Sequence, residues 1–283
     1  QTVVVDVFEA VLGKKSVFLL AGILLLILIV VFGSFIFGDR LFLFKDIGSD
    51  TINVFYPQLV HIADYLTKDG IPKWSFNQGM GQNILPLSIG DPFNWILYMM
   101  GKDNLAYGIV WVEFIKLFTA GMLFYGYLRS LSLTHHSSML GALAYAFCGF
   151  MVVGSGWYVF STQGVYFALF LWGFERLLKK NSYWMFILSV FLFSFNVVFD
   201  LYTAVLFIFF YSTLRLIEIN GKDIMKYFPT YFIMLGCGIL GVLMSSGLMF
   251  GTIDQMINSP RVAGESAFFA SLSSKSPFAL VDG

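Results

Sequence analysis

Long apolar runs alternate with short polar connections along most of the chain. In hydrocarbon the backbone must satisfy its own hydrogen bonds, which a helix does within a single segment. The runs have the length of membrane-spanning helices and lack the polar and apolar alternation of barrel strands. The pattern predicts an all-α polytopic membrane protein with about seven transmembrane helices, at about residues 17–37, 105–128, 138–155, 162–178, 183–199, 201–217 and 228–250. The fifth and sixth runs, separated by Asp200 and its neighbours, can also form a pair of tilted or incomplete spans.

Composition supports membrane insertion and narrows the function. The 283 residues are 58% hydrophobic and 12% charged, whereas soluble domains carry about a quarter charged residues. The formal net charge is zero, so no basic field indicates nucleic acid as a partner. Cys148 and Cys237 lie in separate apolar runs and are predicted to be small buried side chains. No phosphate-binding loop or dinucleotide fingerprint occurs, which excludes ATP-driven transport within this chain.

Basic residues in the short connections predict the orientation. Nine of them fall on one side if the chain alternates across the membrane: Lys14, Lys15, Arg129, Arg176, Lys179, Lys180, Arg215, Lys222 and Lys226. Lys and Arg concentrate in short cytoplasmic segments, so residues 1–16 are predicted to be cytoplasmic. The loop 38–104 and the tail 251–283 are then extracytoplasmic, and residues 17–250 form the transmembrane module. Because Gln1 replaces an initiator Met and the tail has no closing helix, we expect a truncated piece of a longer protein.

The first outer loop, residues 38–104, is longer than an ordinary connection and is therefore predicted to be functional. Within residues 50–68, apolar side chains such as Phe55, Leu59 and Ile62 recur at helical spacing, which predicts an amphipathic helix. Pro57 is expected to start or kink this helix.

Asp46 and Asp50, four residues apart at the head of this helix, are the first chemical candidates. Like charges on one helix face are unfavourable unless they share a proton or a cation, which gives the pair a physical reason to be functional. The competing interpretation is two solvated carboxylates, one of them capping the helix that begins near Thr51.

The segment from Ile71 to Asn94 has the composition of a sugar or phosphate cleft. Trp74 and Phe76 can stack on ring faces, and amides including Asn77, Gln78, Gln82 and Asn83 can bind hydroxyl groups. A glycine-rich turn with self-satisfied amides explains the same composition equally well.

Ionisable residues inside or beside the spans are the remaining candidates. Glu113 and Lys116 lie within the second run, where such groups are costly and indicate either a functional cavity, with Lys116 on an anionic phosphate, or a structural ion pair. Asp200 is either a second outer acid or a turn residue. His61 is a candidate on the outer helix, whereas His135 and His136 are predicted to be a solvated loop. Aromatic residues at the span ends are predicted to form an interfacial belt: Trp157, Tyr158, Tyr166 and Trp172.

Four motifs follow in order: a first span, then DIGSDTINVFYPQ, then GIPKWSFNQGMGQN, then DPFNW before the second span. Over about residues 17–220 this order resembles the YfhO-like family of bacterial membrane proteins, which are similar to the GT-C superfamily of glycosyltransferases. The resemblance implies transfer of a sugar from a polyprenyl-phosphate carrier to a cell-envelope acceptor, of teichoic or lipoteichoic acid type, on the outer face of the plasma membrane.

In GT-C enzymes an Asp just after the first span is the usual catalytic residue, and Asp50 matches that position best, with Asp46 as the alternate. The resemblance also carries over a set of loop residues: Tyr56, Pro57, Trp74, Gly79, Gly81, Pro92 and Asn94. The chain has no Asp-Asp or Asp-Glu dipeptide, so a divalent cation on Asp46 and Asp50 stays an open expectation. The alternative functions are a transporter or flippase of lipid-linked sugars lined by Glu113, Lys116 and Asp200, and a non-catalytic envelope assembly factor.

Overall fold

A computed structural model describes residues 13–38, 40–43, 50–71, 73–78, 81–85, 89–152, 158–196, 198–221 and 223–257. It is mostly helical, which confirms the all-α prediction. The helices are α1 (Ser16–Ile36), α2 (Tyr56–Lys68), α3 (Asn94–Met100), α4 (Leu105–Ser130), α5 (His135–Ala146), α6 (Gly149–Val152), α7 (Tyr158–Lys180), α8 (Trp184–Asn196), α9 (Val198–Asn220), α10 (Phe228–Met244) and α11 (Ser246–Ile257). A small antiparallel hairpin, β1 (Trp74–Ser75) and β2 (Gln82–Asn83), lies in the first loop.

Helices α4 and α7 form the centre of the bundle. They run in the same direction: Lys116 of α4 lies beside Tyr158 at the start of α7, and the Nζ of Lys179 near the end of α7 donates to the carbonyl of Ser130 at 2.5 Å. We call the end at Leu105 and Tyr158 the loop end, and the end at Ser130 and Lys180 the basic end. Charged side chains gather at the basic end: Lys15, Arg129, Arg176, Lys179, Lys180, Arg215 and Lys226.

Close packing of α1 and α8 on this pair depends on small residues. At Gly121 of α4, an added Cβ would lie 3.0 Å from the Leu24 side chain of α1. At Gly173 of α7 it would lie 2.7 Å from the backbone nitrogen of Phe186 in α8. Leu24 is fully buried, because α1 presents one face to the bundle and leaves Phe18 and Val30 exposed on the other.

Fewer helices than predicted have the length and apolarity of a membrane span. Within the described ranges these are Ser16–Ile36, Leu105–Ser130 and Leu201–Asn220, with a fourth if α10 and the first part of α11, bent by 76°, count as one. The predicted count of about seven is therefore not confirmed. Helix α5 has 12 residues and α8 has 13, and the last turns of α7 carry Glu175, Arg176, Lys179 and Lys180.

The predicted amphipathic helix is present as α2 and buries Leu59, Ile62 and Ala63. A π-helical turn, Thr51–Phe55, precedes α2. Pro57 lies in the first turn of α2, where the missing N–H of a proline removes no hydrogen bond of that helix. The buried face packs on α3 and the start of α4, together with Tyr158 of α7. The described parts of the first loop thus form a folded layer on the loop end of the bundle.

Candidate functional site

A polar cavity of about 490 Å³ lies where α2 meets the hairpin. Its walls are Asn53, Val54, Pro57, Gln58, His61, Asn77 and Gln78. Pro57, Gln58 and His61 are on the face of α2 that does not pack on α3, so the amphipathic pattern that buries one face of the helix also turns its polar face toward the cavity.

His61 joins the helix to the hairpin. Its Nε2 lies 2.8 Å from the Oγ of Ser75, which is 2% exposed. The same Oγ accepts a hydrogen bond from the backbone N–H of Asn77 at 3.1 Å. This chain of contacts fixes one wall of the cavity against the other, and it brings together the predicted residues His61 and Asn77.

Asp50 stands at the head of the π-helical turn, three residues before Asn53 of the cavity wall. Its side chain is exposed and makes no capping hydrogen bond, so the capping alternative does not hold for Asp50. Asp46 lies outside the described residues. A π-helical turn is uncommon and is often found at functional sites.

The other loop residues carried over from the sequence are not among the residues that line the cavity. Trp74 is 50% exposed and Phe76 is 79% exposed, with their ring centroids 6.2 Å apart. Gly81, at φ +106°, lies beneath both rings, since an added Cβ would be 2.9 Å from the Nε1 of Trp74 and 3.0 Å from Phe76. Tyr56 packs on the core of the loop layer, and the backbone N–H of Asn94 donates to the Asp91 carbonyl at 3.1 Å.

A charged contact at the surface joins the loop layer to the turn before α4. The Nζ of Lys102 lies 2.8 Å from the Asp64 carboxylate of α2, and the Nζ of Lys68, one turn further along the same helix, lies 2.7 Å from it. Hydrogen bonds from Lys102 and Lys68 lower the pKa of Asp64 to about 2, and the Asp64 contact in turn raises the pKa of Lys102.

Glu113 and Lys116 are buried at the loop end of the bundle. Lys116 is 0% exposed and Glu113 1%, and their charged atoms lie 3.3 Å apart. The Nζ of Lys116 also donates to the carbonyl of Tyr158 at 2.9 Å and lies 3.7 Å from the Asp91 carboxylate. The Oγ of Ser161 donates to Glu113 at 3.0 Å. The side chains of Glu113 and Lys116 are therefore both enclosed by the described part of the protein.

Asp91 is the member of this cluster that the sequence reading missed. It is 7% exposed, accepts a hydrogen bond from Thr162 of α7 at 2.6 Å and accepts another from the backbone N–H of Phe93 at 2.9 Å. Burial, with the Asp91 carboxylate nearby, raises the pKa of Tyr98. The sequence feature that could have identified Asp91 is its position as the acidic residue of the DPFNW motif, which precedes the second span.

Some aromatic and histidine predictions are wrong. Tyr166 is 1% exposed and Tyr158 6%, so both are core residues rather than belt residues, because α7 is enclosed by its neighbours. The hydroxyl of Tyr158 donates to the carbonyl of Leu43 at 2.7 Å. His135 is not merely solvated, since its Nδ1 lies 2.8 Å from both Ser16 and Tyr125 at the basic end.

The remaining predicted residues lie outside what the structure describes. Gly79 and Trp157 are not described, and nothing is described of the side chains of Gln82 and Asp200. Throughout the described ranges, no three His, Cys, Asp or Glu side chains come together as metal ligands.

The fold and the cavity define a helical membrane protein with a polar site in its first long connection. The chain matches the family model described as bacterial membrane protein YfhO over residues 16–280. It therefore belongs to the YfhO family of bacterial membrane proteins, as the loop motifs predicted. No curated protein and no solved structure matches it.

Proposed function

We propose that this protein is a membrane glycosyltransferase of GT-C type, which moves a sugar from a polyprenyl-phosphate donor to a cell-envelope acceptor of teichoic or lipoteichoic acid type. The observation that carries the proposal is the amide-lined cavity of about 490 Å³ at the loop end, whose wall residue Asn53 follows Asp50 by three residues in the π-helical turn. In this proposal the loop end faces outward and the basic end is cytoplasmic, in agreement with the positive-inside rule.

Asp50 acts as the general base. Its carboxylate takes the proton of the acceptor hydroxyl while that oxygen forms a bond to the anomeric carbon of the donor sugar. The bond between the anomeric carbon and the phosphate oxygen breaks, and the electron pair leaves with the polyprenyl phosphate. The exposure of Asp50 suits this role, because an acceptor molecule can approach it from the surface of the loop.

The cavity supplies sugar recognition. Asn53, Gln58, Asn77 and Gln78 offer paired donors and acceptors to hydroxyl groups, and His61 is held by Ser75 at its rim. The exposed rings of Trp74 and Phe76 are suited to stacking on the apolar face of a sugar.

Lys116 and Glu113 have a supporting role in this proposal. A substrate phosphate needs an accessible cation, and Lys116 is fully buried among Glu113, Asp91 and the Tyr158 carbonyl. We assign these charges to positioning the loop layer on α4 and α7. Because the described residues contain no metal-ligand cluster and Asp46 is not among them, no step is assigned to a cation.

The test uses Asp50→Asn and Asp46→Asn in the full-length protein, scored by glycosylation of the envelope polymer. Asp69→Asn is the matched control, because Asp69 is an exposed acid at the other end of α2. We expect a loss of at least a hundredfold in Asp50→Asn, as removal of a general base typically causes, and little change in the control. Normal glycosylation in both Asp50→Asn and Asp46→Asn would contradict the assignment.

One observation favours a transporter or flippase of lipid-linked sugars. Helices α10 and α11 form an apolar pair bent by 76° at Ser245, and interrupted helices are common in transporters. Purified protein in vesicles separates the two functions. A transferase forms glycosylated acceptor from donor lipid supplied on the same side, whereas a flippase moves donor lipid between leaflets without acceptor.

A further inference from the structure

A second cavity, of about 630 Å³, opens at the basic end of the bundle. We call it the basic pocket. It lies between the start of α1 and the C-terminal parts of α4 and α7. The loop layer is at the opposite end of α4 and α7. The residues that matter for its chemistry are Val17, Arg129, Trp172, Arg176, Lys179 and Lys180.

Cationic side chains dominate the basic pocket. Glu175 also lines it, but the Arg215 guanidinium binds that carboxylate through two contacts of 2.7 and 2.9 Å, and Tyr211 donates to it at 2.8 Å. Glu175 is thus neutralised from α9. The charges of Arg176 and Lys180 are left to attract an anion.

Arg176 is positioned at the pocket wall without a full set of partners. Its guanidinium lies 5.8 Å from the centroid of the Trp172 ring. Its Nε is buried and has no hydrogen-bond partner among the described residues, which is an unfavourable state for a charged donor. Because Arg176 lines the pocket, an anionic oxygen bound there would meet a guanidinium that is short of acceptors.

Gly126 creates the space for this arrangement. An added Cβ at that position would lie 2.7 Å from the indole ring of Trp172, so the ring can lie against α4 only because residue 126 is glycine. The indole then provides an apolar wall next to the cations.

The apolar side of the basic pocket continues onto a surface suited to lipid. Val17 of α1 lines the pocket, and its neighbour Phe18 is 79% exposed on a helix with the length and apolarity of a membrane span. A soluble anion would contact only the cationic side chains of the pocket, whereas a phospholipid would also cover its apolar wall with acyl chains. Basic pockets between membrane helices are known to bind anionic head groups.

We propose that the basic pocket binds the phosphate of an anionic phospholipid head group, with Arg176 and Lys180 as the phosphate ligands and its acyl chains along α1. This site is separate from the proposed sugar-transfer site. A phospholipid bound there connects the basic end of the bundle to the anionic lipids of the surrounding leaflet.

The test is lipid binding to the purified full chain in neutral detergent, measured by native mass spectrometry. The probes are phosphatidylglycerol, phosphatidylcholine with the same acyl chains, and inorganic phosphate. The variants are Arg176→Gln and Lys180→Gln, and Lys226→Gln is the control because Lys226 is an exposed lysine at the same end, paired with Asp223 at 3.0 Å. Helix content by circular dichroism verifies that each variant is folded.

We expect phosphatidylglycerol to bind more tightly than phosphatidylcholine, and each pocket variant to weaken it about fivefold or more, with no change in Lys226→Gln. Equal binding of the two lipids, or equal loss in the control, would overturn the proposal. Displacement of phosphatidylglycerol by millimolar inorganic phosphate would also overturn it, since the pocket would then be a site for free phosphate. Sugar transfer is not measured here, so failure of this site leaves the glycosyltransferase proposal unaffected.

Discussion

Lys116 shows how strongly a single residue can depend on its neighbours. It is fully buried, and its charge is compensated by Glu113 at 3.3 Å and Asp91 at 3.7 Å. A buried ion pair does not by itself add stability, but removal of one partner leaves the other charge uncompensated. Removing one member of the cluster therefore lowers the free energy of unfolding by more than the intact cluster contributes to it.

We predict that Lys116→Met destabilises the protein by about 3–5 kcal/mol, because it leaves two buried carboxylates without their cation. Denaturant unfolding in detergent, followed by tryptophan fluorescence, measures the change. Lys226→Met is the control, since that exposed lysine contributes less than about 1 kcal/mol. Equal losses in the two variants would contradict a structural role for the buried pair.

At the scale of elements, Gly173 decides how closely α7 and α8 approach. We predict that Gly173→Ala separates them and lowers the thermal stability, because the new Cβ would lie 2.7 Å from a backbone atom, which cannot turn away as a side chain can. Gly238→Ala on α10 has open space and is expected to be neutral or slightly stabilising. A thermal unfolding scan of both variants checks the difference.

The attachment of α2 to the turn before α4 gives a pH prediction. The folded pKa of Asp64 is about 2, below its ordinary value of 3.8, so the contact stabilises the fold fully above pH 3.8 and is lost as the pH falls through about 2. We expect Asp64→Asn to lower the hydrogen-exchange protection of α2 at pH 5 and to have a much smaller effect at pH 2, where Asp64 is already partly protonated in the folded protein. An equal effect at both values would show that the charge is not involved.

The whole molecule has one basic end and one loop end, and its orientation can be measured. We predict that Asn77→Cys reacts with a membrane-impermeant maleimide in intact cells, whereas Lys226→Cys reacts only after permeabilisation. The background carries Cys148→Ser and Cys237→Ala, so that only the new thiol is labelled. The reverse pattern would place the proposed transfer site in the cytoplasm and contradict it.

Hydropathy was sufficient for the helices with a long and mainly apolar stretch, and α1, α4 and α9 lie close to the predicted runs. It failed where a run was interrupted: residues 138–155 became the 12-residue helix α5 followed by the single turn α6. The turn at Phe147 and Cys148 carries no polar signal, so a window average passes over it.

Asn77 and Gln78 were predictable because amide residues stand out in the irregular loop, and His61 because it is the one histidine of the sequence on the outer helix. Asn53 and Gln58 were missed because polar positions on an amphipathic helix are expected to face solvent, and only the fold shows that they line a cavity with Asn77 and Gln78. Asp91 was missed because its partner Thr162 is 71 residues away in the chain.

Tyr158 joins two parts of the molecule through opposite ends of one residue. Its hydroxyl binds the Leu43 carbonyl at 2.7 Å, and its own carbonyl accepts the Lys116 ammonium at 2.9 Å. Since an aromatic ring does not stretch, the residue acts as a rigid spacer that sets how deep the entry to the first loop sits above the buried charges. The length of the Tyr158 side chain thus sets the distance between the start of the first loop and the buried charges.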